Sequence, residues 1–480
     1  VTLKPIPAKP GEVQIVLGVI EQSTGSLSGG IGYSQSQGLF GQVQLNESNL
    51  LGNAWDVGTN ITYGQYGALA DLYWNIPWIK GDPNRSGLRM KAFLSREIPQ
   101  VFQSVDNGSI RTIQGFYQPP AKSLNTATGR LLNEALGNPA DYVWNVDDLG
   151  VRNIKQAKNV ELPFIGADGK LLTGADLNLF NPEGDLVRVQ RIGGNVQYIR
   201  PLRGGDPYRK NLWTLIAGIS GQEATPMNGL GELRPFGAAP FKNSGIKNTQ
   251  NGRTAATTES IICLAYNCAE SNQLVGARLA LSYNNLNDNK QPRSGSFLTM
   301  SSEQYVSVGE NSPTYNRQRI GATHFIPVNW INFYKGCRPE KGEAEDCPQA
   351  LAFQVTAGNV IGTGNLPPYE AFCVGGNNSV RGFNNCDLGV GTSYVEATIE
   401  YRFPIFKIVG GEVFVDAGSL LGTQQDVPGN PGGLLLKPGQ GFSVGTGVIL
   451  TTPVGPLRLE VATRDWTGDY RFNVGVGFKF

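Results

Sequence analysis

From residue 471 to 480 the chain alternates without a break. Phe472, Val474, Val476, Phe478 and Phe480 take one side, and Arg471, Asn473, Gly475, Gly477 and Lys479 take the other. A period of two marks a β-strand with one apolar face, and a run of about ten residues is the length of a tilted strand crossing a bilayer. The pattern recurs: Val395, Ala397, Ile399, Tyr401 and Phe403 oppose Glu396, Thr398, Glu400 and Arg402, while Leu457, Leu459 and Val461 oppose Arg458, Glu460 and Ala462. A soluble sandwich would bury such a face against a second sheet. Long strands ending in aromatics, repeated along the chain, favour lipid as the apolar partner.

Segments of this kind fall near 25–33, 38–47, 54–64, 67–76, 87–97, 185–200, 210–222, 273–284, 295–307, 316–328, 350–361, 393–403, 411–420, 439–450, 455–464 and 471–480. They predict an all-β fold, a sixteen-stranded antiparallel transmembrane β-barrel over 21–480, with the even strand count of bacterial barrels. Compact turns rich in Gly, Asn and Pro at 50–53 and 203–208 suit one side of the membrane, and long loops at about 98–184, 223–272 and 362–392 suit the other. An insertion as long as 98–184 implies a function or a cap. Residues 1–20 differ: a proline-rich lead, then one strand at 12–20 with too little around it for a core. They read as the remnant of a preceding soluble domain.

Charged residues are 16% of the chain, glycines number 63 and the net charge is +1. That balance leaves no electrostatic footprint for nucleic acid or an acidic substrate. No uninterrupted apolar stretch reaches the roughly 18 residues of a membrane helix, which says nothing against a barrel. Six cysteines lie in local pairs, Cys263 with Cys268, Cys337 with Cys347 and Cys373 with Cys386. Disulfides in an oxidising compartment are expected, although sequence alone leaves connectivity open. The 337–347 pair falls on the nominally short-turn side, at odds with the other two, but a periplasm is oxidising too and the disulfide inference survives. One histidine, His324, and no C-x2-C unit give no basis for a metal site, and no cofactor is expected.

Two segments narrow the function. GGNNSVRGF at 375–383 places Arg381 in a loop rich in Gly and Asn, and EVFVDAG at 412–418 places Glu412, Phe414, Asp416 and Gly418 on the polar face of a strand. A buried guanidinium needs carboxylate partners, and its planar fork can bridge two. Gly375, Gly376 and Gly382 allow the loop positive φ and close backbone approach, and a disulfide between Cys373 and Cys386 would narrow it. The expectation is a loop folded into the lumen and fastened there. The first strand carries Gly29, Gly30 and Gly32 and the last Gly475 and Gly477. Such glycines weaken a strand pair or relieve crowding where a barrel closes. Gly441-Phe442-Ser443-Val444-Gly445 matches a nucleophile elbow, but it lies in an alternating strand without a placed histidine.

Val380-Arg381-Gly382-Phe383, the run from Phe414 to Gly418, Glu400-Tyr401-Arg402-Phe403-Pro404 and the entry at Thr24-Gly25-Ser26 together resemble the outer-membrane insertase superfamily. That superfamily includes BamA-type assembly factors, the chloroplast outer-envelope import channel and two-partner-secretion transporters. The resemblance implies periplasmic POTRA (polypeptide-transport-associated) domains, of which residues 1–20 are the last remnant, and no chemical reaction. It implies a loop lock made by Arg381 with Asp416 as main partner and Glu400 as a second. It also implies unfolded outer-membrane client polypeptides, outer-membrane lipid and accessory assembly proteins as partners, in a bacterial outer membrane or the related plastid envelope. Clients would be inserted at a lateral seam formed by Gly29, Gly30, Gly32, Gly475, Gly477 and Phe480, or a polypeptide would pass through the lumen. A plain porin, conducting steadily, is the remaining reading.

Overall fold

The computed structural model describes residues 2–5, 13–16, 23–34, 38–112, 186–203, 210–239, 261–289, 291–332, 334–338, 347–406, 408–452, 455–464, 468–476 and 479. Sixteen long strands form one sheet: β1 (Gly25–Ser34), β2 (Gly38–Leu50), β3 (Trp55–Gly64), β4 (Gly67–Ile76), β5 (Gly87–Glu97), β6 (Arg188–Pro201), β7 (Trp213–Met227) and β8 (Asn272–Asn284). The second half is β9 (Gly295–Val306), β10 (Tyr315–Pro327), β11 (Ala350–Ile361), β12 (Ser393–Phe406), β13 (Val409–Ser419), β14 (Gln440–Thr452), β15 (Gly455–Thr463) and β16 (Tyr470–Val476). Each strand pairs antiparallel with its neighbours in sequence, including β5 with β6 across the longest loop. Among the described residues no ladder joins β1 to β16. The architecture is the expected sixteen-stranded transmembrane barrel.

Of the strand expected at 12–20, Val13–Val16 is described, and it pairs antiparallel with Thr2–Pro5 in a sheet of its own, the remainder lying outside the described residues. The proline-rich lead thus contributes a strand, and Pro5 closes its end, where a missing ladder donor is tolerated. The strand expected at 210–222 continues to Met227, and the one expected at 471–480 is described only as Tyr470–Val476. The loop at 98–184 is not strandless: Arg111–Thr112 joins Phe236–Ala238 and Ile261–Cys263 in a small sheet, while 113–184 lies outside the described residues.

Register sorts the faces. Thr398, Asp416 and Ser443 stand in one inward row, and Glu400, Phe414, Gly445 and Ala462 in the next. Outward positions carry the apolar set, with Phe472 81%, Ile399 49% and Val415 46% exposed, as a lipid-facing wall requires. Outward aromatics gather at the short-turn end. Trp55 meets Trp74 at 5.3 Å, Trp213 meets Tyr283 at 4.8 Å and Trp330 meets Tyr401 at 4.9 Å, forming a girdle for the membrane interface. At the other end, loop segments around Val101, Phe102, Leu264, Leu366, Val427 and Leu435 bury a shared apolar core that caps the barrel.

Candidate functional site

The connection 362–392 enters the lumen as a hairpin. Phe372–Val374 pairs with Gly389–Gly391, and Cys373 is bonded to Cys386 across it, Cα–Cα 5.0 Å. The other two local pairs, Cys263–Cys268 and Cys337–Cys347, are bonded too. At the tip Gly375, Gly376 and Gly382 all have positive φ. At Gly382 a Cβ would also stand 2.9 Å from that of Ser443, so the backbone passes against the wall as only glycine permits.

This approach delivers Arg381, fully buried, into a ring of inward carboxylates. Its backbone N–H (3.0 Å) and Nε (2.7 Å) donate to Asp416 Oδ2, and Nη2 donates to Oδ1 (3.0 Å). Nη1 reaches Glu400 Oε2 at 2.8 Å and Glu460 Oε1 at 3.0 Å. The guanidinium lies over the Phe414 ring, 3.3 Å from its centroid. Arg402 Nε binds the second oxygen of Glu400 at 2.6 Å, and Arg458 Nη1 binds Glu460 at 2.7 Å. The carboxylates are thus shared among several arginines. Charge-assisted, bidentate pairing of this kind is the geometry in which a buried ion pair offsets its desolvation.

Glycines make room for the loop. A Cβ at Gly418 would stand 2.7 Å from Val380, one at Gly441 2.8 Å from Phe383, and one at Gly445 2.3 Å from the Phe414 ring. The Gly441–Gly445 pattern is therefore accounted for by packing. Ser443 faces the lumen, fully buried, whereas His324 sits on the outer face, bonded to the Ser296 hydroxyl at 2.8 Å.

A second anchor, unforeseen in the sequence, holds the same loop nearer its start. Glu370 is buried between Arg191 of β6 (2.5 Å) and Arg317 of β10 (2.7 Å). The adjacent Tyr369 hydroxyl donates to Asn272 at 2.9 Å. Burial pushes the Glu370 carboxyl up, but the two guanidinium groups outweigh it and hold the group below the usual range. Glu460, the third acid at Arg381, was legible only as part of β15's polar face. Glu370 gave no signal, since its loop has no periodicity to place it.

The seam residues differ among themselves. Gly475 lies under the Arg458 guanidinium, 2.8 Å from Nη2 to a Cβ built there, so a side chain at 475 would have to push that guanidinium aside. Among the described residues, Gly29 and Gly30 of β1 meet nothing closer than 3.7 Å, and crowding by those residues does not explain them. Gly32 lies in β1, while Gly477 and Phe480 lie outside the described residues.

Residues 163–480 match the model of the Omp85 superfamily domain. The chain is similar over its whole length to outer envelope protein 80, chloroplastic, of Arabidopsis thaliana (24% identity, 49% of that protein covered) and of Oryza sativa subsp. japonica (25%, 54% covered). It therefore spans about half the length of these curated relatives. Protein TOC75-4, chloroplastic, of Arabidopsis thaliana is 35% identical over 34% of this chain and 37% of its own length. BamA from Haemophilus ducreyi lacking POTRA domains 1–3 shares the fold, with TM-score 0.56 and 14% identity over 98% of this chain and 73% of that one. With a family match covering most of the chain, and a sixteen-stranded barrel beneath it, the chain belongs to the Omp85 superfamily of outer-membrane proteins.

Proposed function

We propose that the chain folds and inserts client β-barrel proteins through a lateral seam between β1 and β16, without catalysing a chemical reaction. The carrying observation is the state of β1. Every described position from 23 to 31 is exposed, inward and outward sides alike, with Leu27 at 71% and Ile31 at 85%. A strand edge in that condition offers a row of backbone groups to an incoming strand, as in β-augmentation. Membership of the superfamily supports the reading, and a preceding POTRA region would receive unfolded clients and accessory proteins.

Passage of a polypeptide through the lumen is the second reading, supported by the polar inner face of β1–β4, where Ser28, Gln44, Asn60 and Asp71 stand in register. The apolar cap and the two buried anchors of loop 362–392 weigh against it, because a transiting chain must displace them all. Photoreactive residues separate the two. Placed at Ile31 and Phe472, they should capture a client arrested during assembly, while the same group at Asn60 stays silent. Capture at Asn60 alone would refute insertion at the seam.

A further inference from the structure

β16 ends at Val476, yet three residues on, Lys479 is inside the lumen with its side chain 1% exposed. Its Nζ donates to Asp416 Oδ1 at 3.0 Å, to Thr398 Oγ1 at 2.8 Å and to the Ser379 carbonyl at the loop tip. An ammonium has three donors, and all three find acceptors here. The Thr398 hydroxyl in turn donates to Asp416 Oδ1 at 2.9 Å. Asp416 is therefore divided between two cations, Arg381 from the loop and Lys479 from the C-terminal segment.

The loop touches the last strand directly as well. Asn377 Nδ2 donates to the Val474 carbonyl at 2.9 Å. At the long-loop end, Arg471 of β16 meets Asp106 at 3.0 Å. β16 is thus held from within the barrel at Arg471 and Val474, and the residue three beyond its end at Lys479, in a region where no ladder to β1 is described.

We propose that Lys479 is the second cation of the lock, and that it makes loop 362–392 and the terminal strand one releasable unit. Withdrawing Arg381 leaves Asp416 without the fork that orients it for Lys479. Drawing the C-terminal segment away removes the donor that pins the Ser379 carbonyl. Because these side chains are almost wholly shielded from water, their coupling is screened little by salt, and each site must bias the other by the same free energy. The inference deepens the seam reading, but it stands on contacts within the chain and is measured with no client present.

The test uses the chain in lipid nanodiscs. Among the described residues all cysteines are disulfide-bonded, so one nitroxide can be placed at Asn378→Cys on the loop tip or at Phe472→Cys on β16. Lys479→Met should raise the mobile fraction several-fold at both positions, Lys479→Arg should restore it, and Arg381→Ala should mobilise 472 as well as 378. If Lys479→Met mobilises 472 alone or neither label, or if Arg381→Ala leaves 472 unchanged, the coupling is refuted. Should Lys479→Met fail to fold, as read by heat-modifiable migration, Thr398→Val removes one acceptor of the ammonium while keeping every charge. It must then mobilise both labels or overturn the proposal. Loss of client insertion with both labels unchanged would count against this coupling alone. Normal coupling without seam capture would count against the seam reading alone.

Discussion

Arg381 makes five hydrogen bonds to three carboxylates, and its removal leaves Asp416, Glu400 and Glu460 facing one another with fewer cations. Breaking a buried pair by deleting one partner costs about 3–5 kcal/mol, more than the pair contributes over an apolar substitute, because the stranded charge remains. Arg381→Ala should expose loop 362–392 to protease while the barrel still migrates as folded. Arg381→Lys should fall between, since an ammonium keeps the charge but cannot span three acids with a planar fork. Limited proteolysis checks both, and wild-type protection in the alanine variant would show that the loop is held by something else. Arg381, Asp416 and Glu400 could be picked out because the Val380–Phe383, Phe414–Gly418 and Glu400–Pro404 segments carry the family resemblance, and alternation puts both acids on the polar faces of their strands. Lys479 could be assigned to the polar side of an alternating strand, but nothing in that alternation tells that it leaves the ladder to reach Asp416.

At the scale of elements, the strands were legible and the loops were not. Alternation placed all sixteen strands to within a few residues, since each carries one lipid face and one lumen face. The cap has no such period; its core is assembled from residues far apart in sequence, such as Phe102, Leu264, Leu366 and Leu435. One of its elements makes a pH prediction. Lys437, in the connection after β13, is buried, and its Nζ has no hydrogen-bond partner. Burial pulls its pKa down to about 7, against a smaller opposing pull from Asp387. The folded state then binds fewer protons than the unfolded state between that value and the ordinary lysine range. Stability of the cap should accordingly rise with pH from about 7 toward 10. Lys437→Met should flatten that rise and stabilise the cap by about 1–3 kcal/mol at neutral pH. Protease resistance of the long-loop end across pH measures it, and a rise that persists in the variant would mean another group is titrating.

For the whole molecule, the girdle at the short-turn end and the packed cap at the other give the barrel a polarity: one mouth at the membrane interface, one closed by loops. Loop 362–392 is the shared element, tied to the wall at Glu370 and at Arg381. Wild-type protein in planar bilayers should therefore conduct weakly. A Glu370→Ala, Arg381→Ala double variant should show a steady conductance several-fold larger, and either single variant less than that. Equal conductance in all of them would mean that the obstruction lies outside this loop.

The two anchors have opposite sense. At Glu370 the loop brings the acid and the wall the bases; at Arg381 the loop brings the base and the wall the acids. The wall therefore meets this segment with opposite charge at its two ends, and a segment seated end for end would face like charge at both. Charge thus fixes which way round the segment seats, as a keyed plug admits a single orientation.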